Sequence, residues 1–185
     1  MARVILVRHC ESESNRGGPE GGGSNSPLSV RGREQAEAVR EAFASAAARD
    51  PTLRRSTLIC SHLARAVDTA AAIGAALDIV ASLDPRLGAG ETLVGRYDLD
   101  DPATLKIVGA QVLAALSERT HAGADPLVAV SHRYPIWALL TVLYGDRGTA
   151  IMDQLNNLGN GDRLELDLIA GASPSEPAHR PLNPI

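Results

Sequence analysis

Three short apolar runs, each closed by a polar pair, limit what this chain can fold into more than any other feature. Val4-Ile5-Leu6-Val7 stops at Arg8-His9, Thr57-Leu58-Ile59-Cys60 stops at Ser61-His62, and Leu127-Val128-Ala129-Val130 stops at Ser131-His132. An apolar run without polar alternation suits a strand covered on both faces, as in a parallel sheet. Helical spacing fills the intervals. Ser29 is placed to cap a helix from Arg31 to about Ala48, with Ala36, Val39, Ala42 and Phe43 on one face. Further helices are expected from about Leu63 to Leu77, from Ala103 to Arg119 and from Trp137 to Tyr144. Ile79 to Ala81 reads as a short third strand, and the alternation of Arg163 to Ile169 as a last one. Strands alternating with helices predict an α/β fold with a mostly parallel sheet, whose ligands bind beyond the carboxyl ends of the strands. All three polar pairs fall at those ends.

At 185 residues the chain fits one domain, read here as residues 1–170. Residues 171–185 carry four prolines and little apolar content, and are expected to form a flexible tail. With 44% hydrophobic but only 3% aromatic residues, the core must be built from Leu, Val, Ile and Ala. A net charge of −4 gives no broad basic footprint for nucleic acid, so any anion binding must come from locally placed Arg rather than from the overall field, which leaves a small anionic ligand open. Cys10 and Cys60 lack the spacing of a zinc or redox pair and read as reduced thiols. No apolar run reaches membrane-spanning length, and the N-terminal run is too short for a signal segment, so a soluble cytoplasmic protein is expected.

The segment from Arg16 to Pro27 holds five glycines and two prolines and should be a loop. Gly21-Gly22-Gly23 leads into Ser24-Asn25 without the lysine of a P-loop. Ser82 to Pro102 has no clear period and reads as a long connection of the kind that covers active sites.

One histidine after a strand is usually structural. Two of them, His9 and His132, joined by Arg8 and Arg65 at strand ends, form a set suited to phosphate. A phosphoryl group needs several donors around its oxygens, which guanidinium supplies as a planar fork, and neutral imidazole can attack phosphorus.

On these residues the chain resembles the histidine phosphatase superfamily, which includes the phosphoglycerate mutases. Leu6-Val7-Arg8-His9-Cys10-Glu11-Ser12 with Asn15 is similar to its opening signature. Pro27-Leu28-Ser29 through Gly32-Arg33 and Gln35-Ala36, then Ser61-x-Leu63-x-Arg65-Ala66 with Thr69-Ala70, then Val130-Ser131-His132, resemble the later blocks in the same order. The resemblance covers residues 3 to about 169. It implies a three-layer α/β/α sandwich of the phosphoglycerate mutase type, a phosphohistidine on His9, and phosphoryl oxygens held by Arg8, Asn15, Arg65 and His132. The family's first branch takes its proton donor from the long connection, where Glu91 is the first choice and Asp98 or Asp84 could substitute. The other branch needs an acid directly after the second histidine, where this chain has Arg133.

Two positions depart from the family pattern. Cys10 stands where glycine is usual and adds a side chain beside the phosphate, while Arg133 stands where a small residue is usual. Arg133 either meets a further anionic group of the substrate, points to solvent, or pairs with Asp98 or Glu91. The expected activity is metal-independent, cofactor-free hydrolysis of a small phosphorylated metabolite. Phosphoryl transfer of the mutase kind and a catalytically inactive phosphate-binding module are the alternatives. No nucleic acid or membrane partner is expected, and a homodimer is left open.

Overall fold

Each of the three apolar runs becomes a central strand of one sheet. The computed structural model describes residues 2–16, 25–88, 101–154, 158–168 and 178–180. Its strands are β1 (Ala2–Arg8), β2 (Thr57–Cys60), β3 (Ser82–Leu83), β4 (Leu127–Ser131), β5 (Arg163–Leu168) and β6 (Ala178–Arg180). Their order across the sheet is β3-β2-β4-β1-β5-β6. The first four run parallel, and β5 and β6 are antiparallel additions on the β1 side.

Helices cover both faces. α1 (Val30–Arg49) and α2 (Ala64–Leu77) lie on one face with Ile5, Val7, Leu58, Cys60, Val128 and Val130 beneath them. α3 (Pro102–His121), α4 (Arg133–Tyr144) and α5 (Asp146–Gln154) lie with Val4, Leu6, Ile59, Leu127 and Ala129 on the other. The alternation of residues 4 to 7 between the two faces explains why the run has no polar member. Phe43, Ile73 and Leu139 are among the largest buried side chains, each contributing roughly 1.5–3 kcal/mol by leaving water. The three-layer α/β/α sandwich is therefore as expected, and no helix among the described residues is long and apolar enough to cross a membrane.

Three boundaries differ from the sequence reading. The third strand begins at Ser82, because Ile79 still donates its N–H to Gly74 of α2 after Asp78 turns the chain through a left-handed conformation. α4 begins at Arg133 rather than Trp137, since Pro135 sits in the first turn, where its missing N–H costs nothing. Within the segment read as a tail, Ala178–Arg180 pairs with β5. Such pairing joins backbone groups and needs no apolar pattern, so composition gave no sign of it.

Candidate active site

The site is assembled by strand register. Arg8 lies opposite Ser131, the His9 N–H donates to the Ser131 carbonyl (3.0 Å), and the Ser61 N–H donates to the Val130 carbonyl (3.0 Å). Strands β2, β4 and β1 are neighbours, so the three polar pairs converge at one edge of the sheet.

His9 is 3% exposed. Its Nδ1 lies 2.6 Å from the Cys10 carbonyl oxygen, which can only accept, so Nδ1 carries the ring proton. The Arg65 Nε–H, which can only donate, points at His9 Nε2 (3.2 Å). The two contacts require one tautomer, with the lone pair on Nε2. Burial foremost pushes the His9 pKa down to about 3; the Cys10 carbonyl pulls the other way, while the charges of Arg65 and then Arg8 add to the lowering. His9 is thus a neutral imidazole with its free lone pair turned toward a guanidinium.

Arg65 is buried in the first turn of α2. One turn later, Thr69 donates its hydroxyl to the Arg65 carbonyl (2.7 Å) and accepts the Cys10 N–H (3.0 Å), which ties the His9 segment to that helix. The Asn160 side chain donates to the His9 carbonyl (2.9 Å) from the turn before β5. His132 caps α4 with its backbone, is 0% exposed, and places its ring centroid 4.8 Å from that of His9. Its Nε2 is 2.9 Å from Ser61 Oγ, and its buried Nδ1 has no hydrogen-bond partner among the described residues. Burial foremost, with the nearby guanidinium charges of Arg65 and Arg8 adding to it, holds its pKa well below the ordinary value.

The remaining expected residues are placed unevenly. Arg8 is half-buried and donates from Nη1 to the Leu158 carbonyl (2.5 Å). Asn15 is exposed and its side-chain oxygen accepts from the Ser12 N–H (3.0 Å) and hydroxyl (2.9 Å), the bonding of a loop cap; only its Nδ2 hydrogens remain for an anion. The Cys10 side chain is fully buried in the core cluster under α1 and α2. Burial raises its thiol to about 11. Arg133 is exposed at the start of α4. Asp84 is buried in a paired contact with Arg86 Nε and Nη2 that keeps its carboxyl low, which unsuits it as a proton donor. Glu91 and Asp98 lie outside the described residues. Among the described residues no group of His, Cys, Asp and Glu could hold a metal ion.

Sequence reasoning missed Ser61, Thr69 and Asn160 as supports of the two histidines. Ser61 and Thr69 stood inside a recognised block, which was the available signal. Asn160 lies in Gly159-Asn160-Gly161-Asp162, which looks like any turn.

Two histidines and a buried arginine gathered over a parallel sheet agree with what the chain matches. Residues 4–106 fit the model of the histidine phosphatase superfamily (branch 1), and the chain belongs to that family of phosphatases. Among individual relatives, it is 34% identical over 160 residues to the glucosyl-3-phosphoglycerate phosphatase of Mycolicibacterium vanbaalenii, covering 83% of this chain and 66% of that protein. It is 31% identical over 171 residues to the "Probable phosphoglycerate mutase GpmB" of an Enterobacter species, covering 78% and 76%. The fold matches a mycobacterial glucosyl-3-phosphoglycerate phosphatase complexed with VO3 at a TM-score of 0.70, with 24% identity over 97% of each chain.

Proposed function

We propose that this chain hydrolyses small phosphate monoesters through a phosphohistidine at His9. The observation that carries the reading is the fixed tautomer of His9, whose Nδ1–H is anchored on the Cys10 carbonyl while Nε2 faces Arg65. Nε2 attacks phosphorus in line, the ester P–O bond breaks, and the leaving oxygen takes a proton from the acid. The phosphorylated ring is cationic, and its Nδ1–H bond to Cys10 strengthens accordingly. Water then gives a proton to the same acid and attacks phosphorus, and breaking of the P–N bond returns neutral His9. Arg8 and Arg65 supply the charge that a divalent ion would otherwise bring, so the step needs no metal.

Trapping tests the covalent step. Quenching in base during turnover is expected to leave one phosphoryl group on His9, and His9→Ala should lose it along with roughly 10⁴-fold or more of the rate. Wild-type turnover by His9→Ala would falsify the mechanism. Phosphate binding without any phosphoenzyme would instead mark a non-catalytic binding module.

The acid is assigned to Glu91. Glu91→Gln is expected to slow alkyl phosphates by about 10²- to 10⁴-fold in single turnover and p-nitrophenyl phosphate far less, because nitrophenolate leaves largely unprotonated. Equal losses on both substrates move the role to Asp98. The identity to a named mutase supports a second reading, in which a second acceptor replaces water. Release of inorganic phosphate from ordinary monoesters without any bisphosphorylated primer separates hydrolysis from that transfer.

A further inference from the structure

Ser61 takes no part in the proposed reaction steps, yet its hydroxyl is fully buried 2.9 Å from His132 Nε2. The same oxygen accepts the Leu63 N–H (3.3 Å). Two proton arrangements are open to this pair. If His132 donated from Nε2, both the Ser61 hydroxyl proton and a bare Nδ1 lone pair would be buried without partners. If Ser61 donates, only the Nδ1–H is left over. Buried polar groups are rarely left unpaired, so the second arrangement is favoured.

We propose that Ser61 is a positioning residue, whose hydroxyl donates to His132 Nε2 and so holds His132 as the Nδ1–H tautomer, with that hydrogen reserved for a phosphoryl oxygen. The inference rests on the phosphatase reading of the site. It gives the two histidines the same tautomer and opposite tasks: His9 turns its Nε2 lone pair to phosphorus, and His132 offers its Nδ1–H. A neutral imidazole can then stabilise the developing charge without first acquiring a proton. A bare Nδ1 in the same place would repel the anion.

Gly88 supplies an independent handle. A Cβ built there would lie 2.6 Å from Ser61 Oγ, a distance real side chains do not tolerate. The hydroxyl is the movable partner, and turning it away breaks its bond to His132. Glycine at 88 thus leaves the space in which Ser61 can face His132.

The test uses the full chain with ¹⁵N-labelled histidine, alone and with inorganic phosphate. Wild-type His132 is expected to show a protonated Nδ1 and a bare Nε2, and Ser61→Ala should show mixed tautomers. Single-turnover phosphorylation of His9 by p-nitrophenyl phosphate should fall about 10- to 100-fold in Ser61→Ala, in kcat more than KM, less than outright loss of a transition-state donor can cost. Ser61→Thr, which keeps the hydroxyl, should restore both readouts, and Gly88→Ala should reproduce the Ser61→Ala signature with Ser61 in place. A protonated Nε2 in the wild type, or a Ser61→Ala rate equal to wild type, overturns the proposal. If the wild type itself forms no phosphohistidine, it is the proposed function that fails, and the nitrogen spectra still decide the tautomer.

Discussion

His9 is neutral because of where it sits, and that neutrality has a thermodynamic consequence. In the unfolded chain it takes a proton near its ordinary value of 6.5, but in the folded protein only near about 3. Between those values the unfolded state binds one more proton, so stability rises with pH. The contribution is complete above about 6.5, declines as pH falls, and is exhausted near 3. His132, pushed down mainly by its own burial, adds in the same direction. Urea unfolding between pH 7 and 4 should therefore show a steeper loss for wild type than for His9→Gln, by up to about 1.4 kcal/mol per pH unit. Identical slopes would show that His9 is not held neutral. For the same reason, protonation of His9 in the free enzyme should not produce an acid limb of kcat/KM near pH 6.5.

α4 carries His132 at its first cap, and its seating depends on a glycine in the helix beside it. A Cβ at Gly109 of α3 would lie 2.2 Å from the Ala138 carbonyl oxygen of α4. Helix propensity alone predicts that Gly109→Ala stabilises by about 1 kcal/mol. The contact reverses the sign, because a backbone carbonyl cannot turn aside as a side chain can, and overpacking typically costs about 1–3 kcal/mol. The expected result is a net loss in urea or thermal unfolding, and a gain would mean that the two helices are not closely seated. Helical spacing from Ala103 to Arg119 was readable, since it depends on residues near in sequence. The partner of Gly109 was not, because Ala138 lies on another helix.

The outer limits of the sheet are set at β3 and β6. β3 has two residues and offers little edge to another chain, whereas β5 is longer and is covered by β6. Truncation after residue 170 removes β6 and bares a row of N–H and C=O groups along β5, which is a template for self-pairing. Light scattering of the truncated chain should rise with concentration more steeply than that of the full chain; matching curves would show that β6 protects nothing.

The sequence by itself determined the layered α/β plan, because strand burial and helix spacing are written in residues close along the chain. It also determined which polar pairs meet, since strand ends in such a sheet share an edge. It carried the identities of His9, Arg65 and His132 through motifs at those ends. Only the tertiary structure decided the chemical state of these groups. The tautomer of His9 comes from Cys10 and Arg65 meeting opposite sides of one ring, and the contact between Ser61 and His132 joins the ends of two strands paired in register. The burial of the Cys10 side chain was likewise settled by packing, in the core that α1 and α2 cover. Apart from the neighbouring Cys10 carbonyl, the partners in these contacts lie far apart in the chain, and local pattern cannot encode such a contact.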